Sequence, residues 1–233
     1  MNGTALDRVF RAASGRIIAV LAARFRDLTL AEDAFSESCL RAVRLWPAQG
    51  VPEDPSAWLY RVAERLILDA LRRRSRCFET TGEEVDLAPN PEDLMMDDAS
   101  ILPDERLRLI FICCHPAVAV EARAALTVRL VCGLSTTEIA RAFLVQEATL
   151  AQRLVRAKHK ITDAGVSFDL PAPEAWSERL DAVLSTLEIA YAKAHEDAAG
   201  SGPHAGYSTE ILRLTRLLSE LLPDAGIAFA LAA

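Results

Sequence analysis

Aromatic residues are scarce in this chain, at 6% of its 233 positions. Runs of β-branched residues are missing too, so there is little from which to build strands. Ala, Leu, Arg, Glu and Asp dominate instead, and the fold class expected from such a composition is all-α. No stretch of about 18 apolar residues occurs, so no membrane span is expected. Met1 to Val9 contains Asp7 and Arg8 but no apolar core of a signal peptide, which makes the cytoplasm the expected compartment. Positive charge is not in excess either, because the net charge is -7. That total leaves nucleic-acid binding open, since phosphate is held by a local basic patch rather than by a whole-chain sum.

Motifs of enzymes are also missing. There is no Gly-rich phosphate loop, no GxSxG and no HExxH, and His115, His159, His195 and His204 stand in unrelated contexts. No enzymatic activity and no cofactor are expected. Among Cys39, Cys77, Cys113, Cys114 and Cys132 no pair has CxxC spacing. Most lie among apolar residues and read as free buried thiols in a reducing compartment. The run Cys113-Cys114-His115 is the nearest thing to a metal motif. Neighbours on a helix point in different directions and no second ligand pair exists, so no metal site is expected.

What is there is helical periodicity, divided by one acidic stretch. Residues 1–77 read as a first helical domain. Val9, Ile17, Ile18, Leu21 and Phe25 recur at helical spacing. Thr29 with Glu32 forms a capping-box pattern before a helix whose apolar positions are Ala34, Phe35, Cys39 or Leu40, Val43 and Trp46. Pro47, Gly50, Pro52 and Pro55 predict a loop. Ser56 is the expected cap of a long helix with Trp58, Leu59, Val62, Leu66 and Ala70 on its apolar side. Residues 78–105 read as a linker: ten carboxylates between Glu79 and Glu105 meet no Lys or Arg, and Gly82, Pro89, Pro91 and Pro103 interrupt any long element. Residues 106–166 form a second helical domain, opened by Leu107 and Leu109 to Ile112. A helix over Val120 to Cys132 is stopped by Gly133. Residues 167–233 form a helical C-terminal extension. Its apolar stripes are Trp176, Leu180, Val183, Leu184, Leu187 and Tyr191, then Ile211, Leu214, Leu217, Leu218 and Leu221.

The most informative pattern lies between Leu134 and Ile161. Ser135-Thr136-Thr137-Glu138 is a capping box that opens a short helix through Phe143, with Ile139, Ala140 and Phe143 facing inward. A turn follows at Leu144 to Gln146, then a helix from Glu147 to about Thr162. Leu150, Leu154, Ala157 and Ile161 share one side of that helix, which leaves Thr149, Gln152, Arg153, Arg156 and Lys160 on the other. Gln pairs with adenine and Arg with guanine in a major groove, and Thr meets phosphate or a thymine methyl. A short helix, a turn and a longer basic helix is the layout of a helix-turn-helix. In the first domain, Arg61, Arg65 and Arg72 share a side of their helix, with Arg73, Arg74 and Arg76 at its end. Such a stripe can follow a phosphate backbone, or it can simply be a solvated surface. Asp33, Glu37, Arg41 and Arg44 lie on one exposed side of an earlier helix, as ordinary pairs or as a docking face for another helix.

Together these residues resemble the extracytoplasmic-function group of sigma factors, in the sigma-70 superfamily. Ala31-Glu32-Asp33-Ala34-Phe35-Ser36-Glu37-Ser38 looks like the polymerase-binding helix of sigma region 2. Trp58-Leu59-Tyr60-Arg61-Val62-Ala63, with Asp69 and Arg72-Arg73, looks like its promoter-melting helix. Ala124-Ala125-Leu126, Gly133-Leu134-Ser135 and Glu138-Ile139-Ala140 look like the start of region 4, and Glu147 to Lys158 looks like its recognition helix. The resemblance implies that Asp33, Glu37, Arg41 and Arg44 dock on core RNA polymerase. It implies that Arg61, Arg65, Arg72 and Arg73 engage the −10 promoter element, and that Thr149, Gln152, Arg153, Arg156 and Lys160 read the −35 element. The sequence departs from the family pattern at Ser36, where Gln is usual, and at Arg65, where Asn is common. Gly50-Val51-Pro52 and Cys113-Cys114-His115-Pro116 resemble a subgroup with a long C-terminal extension, of which residues 170–233 look like the beginning. That extension is expected to regulate the chain from within. In such factors the connector threads into the polymerase cleft, so the acidic linker reads either as a polyanion mimic or as a solvated tether. Two other readings stay open: a stand-alone helix-turn-helix regulator, and a sigma-like decoy that binds an anti-sigma protein.

Overall fold

In a computed structural model of the chain, the described residues are 3–78, 102–168, 181–186, 188, 189, 192 and 216. Every regular element among them is an α-helix, as expected from composition. The chain divides into two compact units, Met1–Leu102 and Pro103–Ala233. The acidic stretch 79–101 lies outside the described residues, as do Trp176, Leu180 and the second apolar stripe of the extension.

The first unit consists of α1 (Gly3–Phe25), α2 (Leu28–Gln49) and α3 (Pro55–Phe78). Ile17, Ile18 and Leu21 are buried on α1, and Val9 and Phe25 half-buried. The cap of α2 is Asp27 rather than Thr29: its carboxylate accepts from the Leu30 amide at 2.9 Å. Asp caps as well as Thr, and its charge also favours the positive end of the helix dipole. Glu32 is consequently buried within the first turns instead of closing a capping box. The cap of α3 is likewise earlier than Ser56. Asp54 accepts from the Ala57 amide at 2.9 Å, and Pro55, which has no amide hydrogen to leave unpaired, opens the helix.

Pro47 does not begin a loop. It lies inside α2, which continues to Gln49 and closes when the Gly50 amide donates to the Trp46 carbonyl at 2.9 Å. In the last turn a proline removes one hydrogen bond only. The carbonyl left over belongs to exposed Val43, where water can reach it.

The buried stripe of α2 is also displaced from the expected one. It runs Leu28, Ala31, Ala34 and Phe35, Ser38, Ala42, Trp46, while Leu40 and Val43 face water. Small residues at positions 31, 34, 38 and 42 let α2 approach its neighbours closely. Ser38 loses nothing by burial, because its hydroxyl donates to the Phe35 carbonyl at 2.7 Å. On α3 the fully buried positions are Leu59, Tyr60, Ala63 and Ile67, with Val62, Leu66 and Ala70 half-buried beside them. Trp46 stacks edge-on against Trp58 at 5.3 Å between ring centroids and meets Phe10 at 6.0 Å, joining all three helices.

The second unit holds α4 (Leu102–Cys113), α5 (Val120–Leu130), α6 (Thr136–Ala142) and α7 (Glu147–Asp163). Pro103 stands at the second position of α4 and starts a helix where an interruption was expected. Leu109 to Cys114 are all buried, as are Leu126, Leu130, Leu134, Ile139, Leu150 and Ile161, so the core is mostly aliphatic, with Phe111 among it. Helix α5 stops two residues before the expected end at Cys132. Gly133, at φ 69, makes the turn, and the Leu134 amide reaches back to the Val128 carbonyl. No helix among the described residues is long and apolar enough to cross a membrane.

Candidate nucleic-acid interface

The described candidate residues divide among three helix faces. On α2, Asp33, Arg41 and Arg44 are exposed and Glu37 is half-exposed. Arg41 Nε donates to Glu37 Oε1 at 3.3 Å, the four-residue pairing expected from spacing. Leu40 lies inside this charged side, seven residues after Asp33 and four before Arg44, and is 51% exposed. Val43, three residues on, is exposed as well. Exposed apolar side chains therefore adjoin the charged ones on this helix, a mixture common in protein–protein interfaces. The charges were legible from spacing; the exposed apolar pair beside them was not, because Leu40 and Val43 read as core. Beside them Cys39 is half-buried, and burial pushes its thiol up to about 12, which leaves it protonated and inert at neutral pH.

On α3, Arg61, Arg65, Arg72, Arg73 and Arg74 are all exposed. The first three follow one side of the helix. The C-terminal pair is partly held within the helix: Arg72 meets Asp69 at 3.4 Å, and Arg73 Nε donates to the Asp69 carbonyl at 3.1 Å. Behind the stripe is a polar cluster that spacing does not reveal. Arg24 of α1 forms an ion pair with Glu64, and it also donates to the Tyr60 hydroxyl at 3.3 Å. The Tyr60 hydroxyl in turn lies 3.4 Å from Glu64. Burial first, then the Glu64 carboxylate, push the Tyr60 phenol above its ordinary value, so it stays a neutral donor. This cluster holds α3 against α1 and fixes the rotation at which α3 presents its arginines.

The third face is on α7. The Ser135–Glu138 capping box forms as expected: the Ser135 amide donates to Glu138 Oε2 at 2.8 Å and the Glu138 amide to Ser135 Oγ at 3.2 Å. Ile139, Ala140 and Ala142 are buried, and Phe143 is half-buried at the helix end. The chain then turns through a left-handed residue, Leu144 at φ 52. The Val145 amide donates to the Ala140 carbonyl and the Leu144 amide to Arg141, both at 3.0 Å, which defines a Schellman turn. Glycine usually occupies this position; Gly165 does so in the matching turn after α7, at φ 57. Leu144 is 83% exposed. Thr137 Oγ1 donates to Glu147 Oε1 at 2.9 Å across the turn and ties α6 to the start of α7.

Leu150, Leu154, Ala157 and Ile161 are buried, the stripe expected from spacing. Thr149, Gln152, Arg153, Arg156 and Lys160 are all exposed. The segment 181–186 reaches the residue that follows α4, Cys114. Val183 and Thr186 are buried, and the Thr186 hydroxyl lies 3.6 Å from Cys114 Sγ, which is also 3.7 Å from Thr127 Oγ1. Thr186 further donates to the Ala182 carbonyl at 2.7 Å. Cys113, Cys114 and Cys132 are buried thiols outside any disulfide, as their apolar settings predict. His115 accepts from the Ala117 amide at 3.1 Å and so caps the turn after α4.

Residues 9–77, nearly the whole of α1 to α3, match the family model for Sigma-70 region 2. Over 222 residues the chain is 38% identical to an uncharacterized protein of Rhizobium meliloti (strain 1021). That alignment takes in 94% of this chain and 52% of the relative, so the chain spans about half the relative's length. No solved structure matches the chain significantly.

Proposed function

We propose, from the premise that residues 9–77 are a sigma-70 region 2 domain, that this chain acts in transcription initiation as a sigma factor of the extracytoplasmic-function type. The first unit docks on core RNA polymerase through α2, with Leu40 and Val43 beside Asp33, Glu37, Arg41 and Arg44. The apolar pair supplies affinity and the charges supply orientation. Arg61, Arg65, Arg72 and Arg73 of α3 then engage the −10 element of the promoter. In the second unit, α6, the turn and α7 act as a helix-turn-helix that sets Thr149, Gln152, Arg153, Arg156 and Lys160 in the major groove of the −35 element. RNA synthesis itself belongs to the polymerase.

The observation that carries this reading is the family match over the unit whose α2 exposes Leu40 and Val43 beside charged residues. It is tested by mixing the chain with core RNA polymerase on a sizing column and then assaying transcripts from a pool of promoter DNA. Co-elution and discrete start sites are expected. Failure to co-elute removes the premise, and tight operator binding by the free chain would favour a stand-alone regulator. The C-terminal extension takes part in regulation from within the chain. The contact of buried Thr186 with Cys114 supports this, because it ties the extension to the end of α4.

A further inference from the structure

Helix α7 exposes one large apolar side chain, Val155, at 48%. Its other large aliphatics, Leu150, Leu154 and Ile161, are buried. At 100° per residue, Val155 lies about 130° round the helix from the middle of that buried stripe. Gln152 precedes it by three residues and Arg156 follows it directly, and both are exposed. Ala148, a turn before Gln152, is exposed on the same side and is too short to block an approach. The outer face of α7 thus presents an amide, a branched aliphatic and a guanidinium within little more than one turn, followed by His159.

These three side chains match three different features of base-pair edges. A carboxamide pairs bidentately with adenine N6 and N7, and a guanidinium with guanine O6 and N7. An aliphatic group meets the one apolar feature of the major groove, the C5-methyl of thymine. Val155 has no polar atom to place on a base or on phosphate. Its β-branch also leaves it one strongly preferred rotamer in a helix, so its methyl groups are held in fixed positions.

We infer that Val155 is a specificity-determining residue that reads a thymine methyl beside the bases taken by Gln152 and Arg156. The inference rests on the proposed placing of α7 in a major groove. The site it reads contains a thymine next to the base pairs contacted by Gln152 and Arg156, which distinguishes it from an all-G·C site.

The test uses the full chain reconstituted with core RNA polymerase and a duplex library randomised over the upstream element. The enriched sequence is then rebuilt with each thymine replaced in turn by deoxyuridine, which removes only the methyl group. Wild-type holoenzyme is expected to lose about three- to fivefold in affinity at one thymine, the transfer value of roughly one methyl group. Val155→Ala should lose a similar factor on thymine DNA and become indifferent to the uracil replacement at that position. Exposed Val155 is replaced there by a better helix former, so unchanged or slightly raised thermal stability should accompany the weaker binding. An enriched site that depends on Arg156 but shows no uracil effect removed by Val155→Ala overturns the inference and leaves the proposed function standing. Enrichment of no sequence, or enrichment indifferent to both Gln152→Ala and Arg156→Ala, overturns the two together.

Discussion

The two units present cationic helices in different ways. On α3 two of the arginines near the C-terminal end are already engaged: Arg72 with Asp69, Arg73 with the helix backbone. The helix itself is held from behind by the Arg24, Tyr60 and Glu64 cluster and by the stacked Trp46 and Trp58. On α7 the support is a plain aliphatic stripe, and the exposed face mixes Thr, Gln, Val, Arg and Lys. A stripe dominated by arginine can neutralise phosphates with little regard to sequence. A mixed face offers the donors, acceptors and methyl groups that tell one base pair from another. Under the proposed function, the first unit would serve grip and strand engagement, and the second readout.

Charge reversal breaks this contrast most directly. Arg153→Glu with Arg156→Glu should reduce promoter-dependent RNA output by about 100-fold or more, since each arginine–base pairing removed costs on the order of 1–3 kcal/mol. Melting temperature should hold, because both positions are exposed. Run-off transcription with unfolding by circular dichroism checks both parts. If output is untouched, α7 is not the reader.

The next effect in size is on stability and lies in the first unit. Arg24→Ala strands the Glu64 carboxylate, which is 17% exposed, and should cost about 2–3 kcal/mol. That is below the penalty for a fully buried pair, because water still reaches the carboxylate. Arg24→Ala combined with Glu64→Gln should recover part of the loss. Urea titration of the four-member double-mutant cycle measures the coupling, and an additive cycle would show that the cluster does not brace α3.

Capping sharpens the comparison in the second unit. Ser135→Ala removes the acceptor for the Glu138 amide and should cost about 1 kcal/mol, read as a lower urea midpoint with unchanged slope. Smaller again, and of opposite sign, is Leu144→Gly. It relieves a left-handed leucine whose side chain packs on little, so stability should rise by up to about 1 kcal/mol, less the entropy glycine gains in the unfolded chain. Thermal unfolding reads this change. If Leu144→Gly also lowers transcription, the exposed leucine touches a partner.

Much of the second unit was legible in the sequence. The Ser135 and Glu138 box, the stop at Gly133 and the stripe Leu150, Leu154, Ala157 and Ile161 each involve residues within a turn or two of one another. The first unit was harder to read. Its cap pattern at Thr29 and Glu32 was imitated by residues that ended inside the helix, just after the Asp27 that does the capping. Its buried stripe was misplaced because Ala and Ser, not the larger Leu40 and Val43, sit where α2 meets its neighbours. Size was a poor guide there: close helix packing favours small side chains and leaves larger ones outside for another surface.

Chain-local chemistry alone determined that this protein is helical, where α5 and α6 meet their stops and starts, and which side of α7 faces water. Those properties depend on hydrogen bonds and spacings that span four residues or so. Only the tertiary structure decided that Arg24 meets Glu64, 40 positions away, that Thr186 settles beside Cys114, and that Leu40 is left exposed. Such outcomes depend on where helices cross and how closely they approach, and no periodicity within one helix carries that information.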